Sequence, residues 1–373
     1  MNADAKVSEQ NRSTTHELMP VQNCTDRGRQ SFIMQAKLRL GRLATQGLQE
    51  LARERSGVDA PSREDCDQVL THSTSFAAWS ALSIGAQKQM WRAVQDMTDR
   101  QSEELDARRK AIKTRAAKGS LTLNPAFEIP KYLQEYAFHG QPGGYVDSGH
   151  DDDLNAGILQ EAGGTLYTRG LGSGRSDSKA QAVLRYVAEK FPDFAPRRIL
   201  DLGCGYAGQT CAYAAAYPDA ETHGIDAGEG LLRYAHLRAE SLGIPLQLKQ
   251  QDVANCEYPD GAFDLIVSNI LLHEVPTEVM QKVMAECHRL LAPGGVVIHQ
   301  DVPLRKPDLS GFRKFLTMWQ TRHNDEPYWE TFGDSSVADA LVDAGFDEEN
   351  VFEDYLAQVA GPMHWYLVGA RRA

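Results

Sequence analysis

Apolar residues follow two different rhythms along the chain, and the change comes near residue 198. Over 31–55, Phe32, Ile33, Leu38, Leu40, Leu43, Leu48 and Leu51 recur at approximately helical spacing, which predicts an amphipathic helix. Residues 59–62 break it. A second helical region over 76–118 carries Trp79, Leu82, Met90, Trp91, Val94 and Met97 and becomes highly charged from Asp99 onward. Beyond 198 the apolar residues come as short runs, at 198–202, 221–226, 246–249, 263–269 and 290–298, separated by helix-length segments. Such alternation predicts parallel strands buried between helices. Two more runs, 351–358 and 364–370, predict a closing pair of strands. The expected class is α/β, with a mobile polar tail over 1–30, a helical N-terminal region over 31–180 and a sheet domain over 181–373.

The first strand of that sheet runs into a glycine turn, Ile199-Leu-Asp-Leu-Gly-Cys-Gly-Tyr-Ala-Gly208. Glycines at 203, 205 and 208 let backbone lie close against a ligand before a helix starts. Dinucleotide-binding turns share this spacing. Asp201 separates the two readings, because a carboxylate two residues before the first glycine repels a pyrophosphate and suits a cation. The second strand ends in Asp226, where a carboxylate can take both hydroxyls of a ribose. Gln251-Asp252-Val253 follows the third strand, and Asn269 ends the fourth. His273, Glu274, His299 and Asp301 fall just beyond strands four and five, in the crevice where open α/β sheets bind ligands. His273 leads these as a candidate general base, with packing beneath the following helix as its other reading.

In order and spacing these motifs resemble class I S-adenosylmethionine-dependent methyltransferases, specifically the small-molecule branch that includes the ubiquinone-biosynthesis type. The resemblance covers roughly residues 180–373. It implies a Rossmann-like, seven-stranded, mostly parallel sheet with helices on both faces, and S-adenosylmethionine as cofactor. By the same resemblance Asp201, Gly203, Cys204 and Gly205 surround the methionyl part, Asp226 takes the ribose, and Asp252 with Val253 takes the adenine. Asn269 then lies on the methyl-transfer side, and Arg169 reaches the methionyl carboxylate. A nicotinamide-dependent dehydrogenase would leave Asp201 and Asp252 unexplained, and a non-catalytic cofactor-binding subunit is the third reading.

Composition narrows the partners. Hydrophobic residues at 42% and charged residues at 24% are globular values, and a formal charge of -12 opposes a polyanionic partner. Asn269 is followed by Ile270 and Leu271 rather than by the Pro-Pro-aromatic signature of amino-methylating nucleic-acid enzymes, so a small-molecule acceptor is expected and no nucleic acid. The six cysteines form no CxxC pair and no zinc spacing, which suits a reducing cytoplasm. No apolar run approaches the roughly 20 residues that span a bilayer, so no membrane is expected. His273, His299 and His323 with Asp301 lack the local spacing of a metal site, and no metal is expected.

Outside the sheet, Tyr132, Tyr136, Phe138, His139 and Tyr145 gather around Pro142-Gly143-Gly144. Such a segment reads as a lid over a bound ligand, or equally as a surface turn anchored by its aromatics. A second aromatic stretch, Phe315, Met318, Trp319, Tyr328 and Trp329, is placed to shape the acceptor pocket. The N-terminal apolar stripe reads as intramolecular core, with a homodimer through these helices as the other possibility.

Overall fold

A computed structural model describes residues 16–146, 154–167, 178–357 and 364–373. Eight strands form one sheet: β1 Ser120–Thr122, β2 Arg198–Leu202, β3 Glu221–Asp226, β4 Gln247–Gln250, β5 Phe263–Asn269, β6 Leu291–Asp301, β7 Val351–Ala357 and β8 His364–Arg371. Their spatial order is β1-β4-β3-β2-β5-β6-β8-β7. All pairings from β1 to β6 are parallel, and β8 runs antiparallel to both β6 and β7. The sheet thus has one strand more than expected. The addition is β1, three partly exposed residues beside β4, too short and polar to register as an apolar run.

The helices, in chain order, are α1 Cys24–Leu43, α2 Gln49–Ser56, α3 Arg63–Leu70, α4 Thr74–Asp99, α5 Ser102–Lys113, the single turn α6 Lys131–Gln134, α7 Asn155–Tyr167, α8 Ser178–Lys190, α9 Gly208–Ala216, α10 Glu229–Leu242, α11 Thr277–Leu290, α12 Gly311–His323, α13 Trp329–Asp334 and α14 Val337–Asp343. Alternate residues of the central strands face opposite ways, as a sheet covered on both sides requires. Leu200, Ile266 and Val297 pack under Met280, Val283 and Met284 of α11, whereas Ile199, Val267 and Ile298 pack under Ala180, Val183 and Val187 of α8. The strand order reverses between β2 and β5, which opens a crevice at their carboxyl ends.

The N-terminal boundaries differ from those expected. Helix α1 begins at Cys24, inside the stretch assigned to a tail, because the Asn23 side chain accepts from the Asp26 N–H and Asp26 returns the bond. Leu18, earlier still, is fully buried. The single helix over 31–55 is in fact α1 and α2 joined through a π turn, Ala44–Leu48, where the Thr45 hydroxyl donates back to Gly41 O at 3.1 Å. The helix expected over 76–118 is interrupted at Arg100 and Gln101. There the Gln101 side chain takes both backbone groups of Val21, at 2.8 and 3.1 Å.

Much of the apolar stripe is covered within the chain, while Phe32, Leu43 and Leu82 stay exposed. Phe76 packs on Phe315 of α12 with ring centroids 5.2 Å apart, Trp79 on Trp319 at 4.8 Å, and Trp91 belongs to a core with Leu159 and Leu166 of α7. Within the aromatic stretch after β6, Phe315 and Trp319 dock the N-terminal helices, while Trp329 meets His273 and lines the cavity. No helix among the described residues is long and apolar enough to cross a membrane.

One buried ion pair ties the N-terminal segment to the sheet domain. Glu161 on α7 accepts from Arg238 Nε at 3.2 Å and Tyr234 OH at 2.7 Å, both on α10, and lies 2.9 Å from His16 Nε2. Burial alone would raise the Glu161 pKa, but Arg238, His16 and Tyr234 outweigh it and hold the carboxyl below its ordinary range. Glu161→Ala should therefore destabilise the fold by about 3–5 kcal/mol in urea titrations, since it leaves a buried guanidinium without its carboxylate. The pair's contribution should be present above the ordinary carboxyl pKa and fade as pH falls through the lowered one. A loss below about 1 kcal/mol, the range of exposed pairs, would contradict this.

Candidate functional site

Where β2 stops, the chain turns through Gly203, Cys204 and Gly205, and α9 begins at Gly208. Gly203 adopts φ +66°, a left-handed conformation that side chains resist, and a Cβ there would lie 2.8 Å from Leu271 Cδ1. Asp226, at the end of β3, holds this turn in place. Its Oδ2 accepts from the Gly205 N–H at 2.9 Å and its Oδ1 from the Gly228 N–H at 2.8 Å. Burial nevertheless raises its pKa, opposed by those amides.

Asp201 is 2% exposed and accepts from the Thr210 hydroxyl at 2.6 Å. Burial, reinforced by the charge of Asp226, pushes its pKa up to about 7. A buried acid so poised gains its charge readily when a cation arrives beside it. Asp252 follows β4 and accepts from the Ala254 N–H at 2.9 Å. Asn269 closes β5; its side-chain oxygen accepts from Tyr213 OH at 3.2 Å, and its side chain favours the charged form of Asp201. Next comes Ile270 at φ +61°, an outlier for a β-branched residue, held by its N–H bond to Gln300 O at 2.8 Å.

These residues border one cavity of about 1890 Å³ at the strand ends. Asp201, Gly203, Cys204, Gly205, Asp226, Asp252, Val253 and Asn269 all line it. Cys204 and Val253 are mostly core, each under a tenth exposed. Arg169 lies outside the described residues. The cavity continues between α1, α4 and α12, past Met34, Trp79, Leu316 and Trp319, with Lys37, Gln87 and Arg313 also on its wall.

On the β5–β6 side, the four candidates for acid–base chemistry separate into two pairs. His273 and Glu274, on a tight turn after β5, line the cavity; His299 and Asp301, on β6, do not. His299 is fully buried, its Nδ1 2.8 Å from Ser268 Oγ and its Nε2 4.0 Å from Cys287 Sγ. Burial pushes its pKa down to about 4, so it stays neutral, and it packs beneath α11 rather than meeting a ligand. Asp301 is an orienting residue. It accepts from the Leu272 and Val302 N–H groups at 2.8 and 2.6 Å and holds His273 Nδ1 at 2.5 Å.

The far nitrogen of His273 lies 3.2 Å from Glu274 Oε1. Burial disfavours a proton on this ring, but Asp301 and Glu274 outweigh it and raise its pKa well above the ordinary value. Both carboxylates thus favour the protonated ring, in which His273 is a charged donor.

The lid segment supplies the next members of this chain. His139, itself at φ +58°, places Nε2 3.0 Å from Glu274 Oε1 and Nδ1 against Glu326 Oε1. Burial again works against the proton, and the two carboxylates push the His139 pKa up to about 10. Tyr145 donates to Glu274 Oε1 at 3.2 Å and stacks on Phe138 at 5.3 Å. Glu274, despite its burial, is held below the usual carboxylate range by His139 and His273. Tyr132, His139 and Tyr145 line the cavity; Tyr136 is 38% exposed and instead meets Phe138 and Tyr328 edge-on. His323 is exposed on the last turn of α12 and joins no cluster.

Two site residues had no sequence signal. Glu326 sits in a polar loop, and only its fully buried position against His139 marks it. Ile270 is distinguished by its backbone alone.

Residues 199–295 match the family described as methyltransferase domain. The trans-aconitate 2-methyltransferase of Methylobacterium radiotolerans is 36% identical over 36% of this chain and 47% of its own length. The ubiquinone biosynthesis O-methyltransferase of Proteus mirabilis is 30% identical over 33% of this chain and 49% of its own. The chain spans about half the length of the curated relatives it matches. Among solved structures, a putative S-adenosyl-L-methionine-dependent methyltransferase from Methanococcus maripaludis aligns with 60% of this chain and 95% of its own, at 16% identity and a TM-score of 0.41. The matched segment runs from β2 into β6 and contains the glycine turn, Asp226, Asp252 and Asn269, so the part of the chain that is similar to a methyltransferase domain is the part that forms the strand ends of the cavity.

Proposed function

We propose that the protein transfers the methyl group of S-adenosylmethionine to a small-molecule acceptor by in-line displacement. One observation carries the reading: the acids at the ends of β2, β3 and β4 and the His273–Glu274 turn border the same cavity. In this reading Asp226, while clamping the glycine turn, takes the ribose hydroxyls, Asp252 takes the adenine amino group, and Asp201 faces the cationic end. The cofactor would supply an already activated methyl group, so the chain's task is alignment and exclusion of water. His273 serves as a charged hydrogen-bond donor beside the acceptor, and the Tyr132–His139–Tyr145 segment forms the roof. The arm of the cavity past Met34 and Trp79 suits an acceptor with a hydrophobic portion. All six cysteines are free, in keeping with a reducing cytoplasm.

The direct test is incubation of the purified protein with labelled methyl donor and a metabolite extract. Appearance of a labelled small molecule supports the reading; cofactor binding without any labelled product supports a regulatory subunit instead. Asp226→Ala should weaken S-adenosylhomocysteine binding about tenfold or more, the worth of a charged hydrogen bond. Calorimetry on a variant shown to be folded, with affinity unchanged, would remove Asp226 from the site.

Two further outcomes concern the roof. Cofactor should slow amide hydrogen exchange across residues 132–145, and exchange indifferent to cofactor would argue for a plain surface turn. His273→Ala should lower turnover by about 100-fold, the cost of one preorganised donor, while leaving cofactor affinity within about twofold. Wild-type turnover in that variant would take His273 out of the reaction.

A further inference from the structure

Three segments remote in sequence converge on His139: the lid, the turn after β5 that carries Glu274, and the loop before α13 that carries Glu326. One ligand atom from each of the three residues can be chosen so that all lie within 4.8 Å of one another. Glu274 is 5% exposed and Glu326 is fully buried. The second carboxylate oxygen of Glu274 is buried with no hydrogen-bond partner, a costly state for a charged group unless something positive meets it. Asp301 and His273 extend the cluster on the far side of Glu274.

Glu274 and Glu326 both approach the His139 ring in a buried region, one at each ring nitrogen. Buried charges persist when paired or when they coordinate a metal.

We propose that His139, Glu274 and Glu326 form a binding site for a first-row divalent cation of the Zn²⁺ or Mn²⁺ kind. One imidazole nitrogen with carboxylate oxygens suits these borderline ions better than Ca²⁺, which prefers an all-oxygen shell. Three protein ligands leave a coordination position open, and both His139 and Glu274 border the cavity. A cation so placed stands beside the acceptor side of the site, where it lowers the pKa of any oxygen it binds. This set differs from the His273, His299 and His323 grouping, which the fold disperses. The inference does not rest on methyl transfer, and it is tested without methyl donor.

Chelator-stripped full-length protein is titrated calorimetrically with ZnCl₂ and with MnCl₂. The expected result is one ion bound per chain. His139→Gln and Glu326→Gln, checked for folding by circular dichroism, should each weaken binding at least about tenfold. If either variant fails to fold, the wild-type stoichiometry decides. Less than one ion per ten chains for both metals, or wild-type affinity in both folded variants, would overturn the site in favour of a purely protonic clasp.

Discussion

Two backbone amides, those of Gly205 and Gly228, converge on the carboxylate of Asp226, and the cavity is arranged around that clamp. The contact fixes where β2 ends relative to β3 and so where the glycine turn lies against the crevice. It also explains why an acid belongs at this strand end even before a ligand arrives: two N–H groups at the bottom of a buried turn need an acceptor. Burial raises the Asp226 pKa while the amides lower it, so the residue sits between structural and binding duties. Asp201, whose charge is favoured by the Thr210 hydroxyl and the Asn269 side chain but opposed by burial, is pushed further, to about 7.

The opposite wall is organised by charge instead of backbone. Asp301, His273, Glu274, His139 and Glu326 alternate acid and imidazole from β6 across to the loop before α13. Desolvation makes each member expensive alone, and contact with its neighbours offsets that cost. This alternation ties the segment carrying His139 to the β5 turn, and Asp301 and Glu274 together favour a proton on His273. His299, held neutral by burial, lies beneath α11.

Legibility in the sequence followed the range of the interactions. Strands β2 to β8 were readable as short apolar runs, and five of the candidate residues lie near the ends of those runs, so local position alone placed Asp201, Gly203, Asp226, Asp252 and Asn269 on one cavity. Strand β1 was not readable, because three partly exposed residues have no period to detect. The π turn at 44–48 preserved the apolar rhythm while dividing the helix. His273 and His299 have equivalent positions beyond neighbouring strands; which one reaches the cavity depends on strand alternation and on Cys287 of α11, a tertiary fact. Glu326 was invisible for the same reason, since nothing local links it to His139.

The central claim is that this crevice is built for a cofactor with a cationic end and a ribose, not for a dinucleotide. Calorimetric titration of the full chain with S-adenosylhomocysteine and, separately, with NAD tests it most directly. The account predicts saturable one-site binding of S-adenosylhomocysteine and no heat from NAD, because Asp201 repels a pyrophosphate at the turn. Saturable NAD binding, or an absence of S-adenosylhomocysteine binding to folded protein, would contradict it.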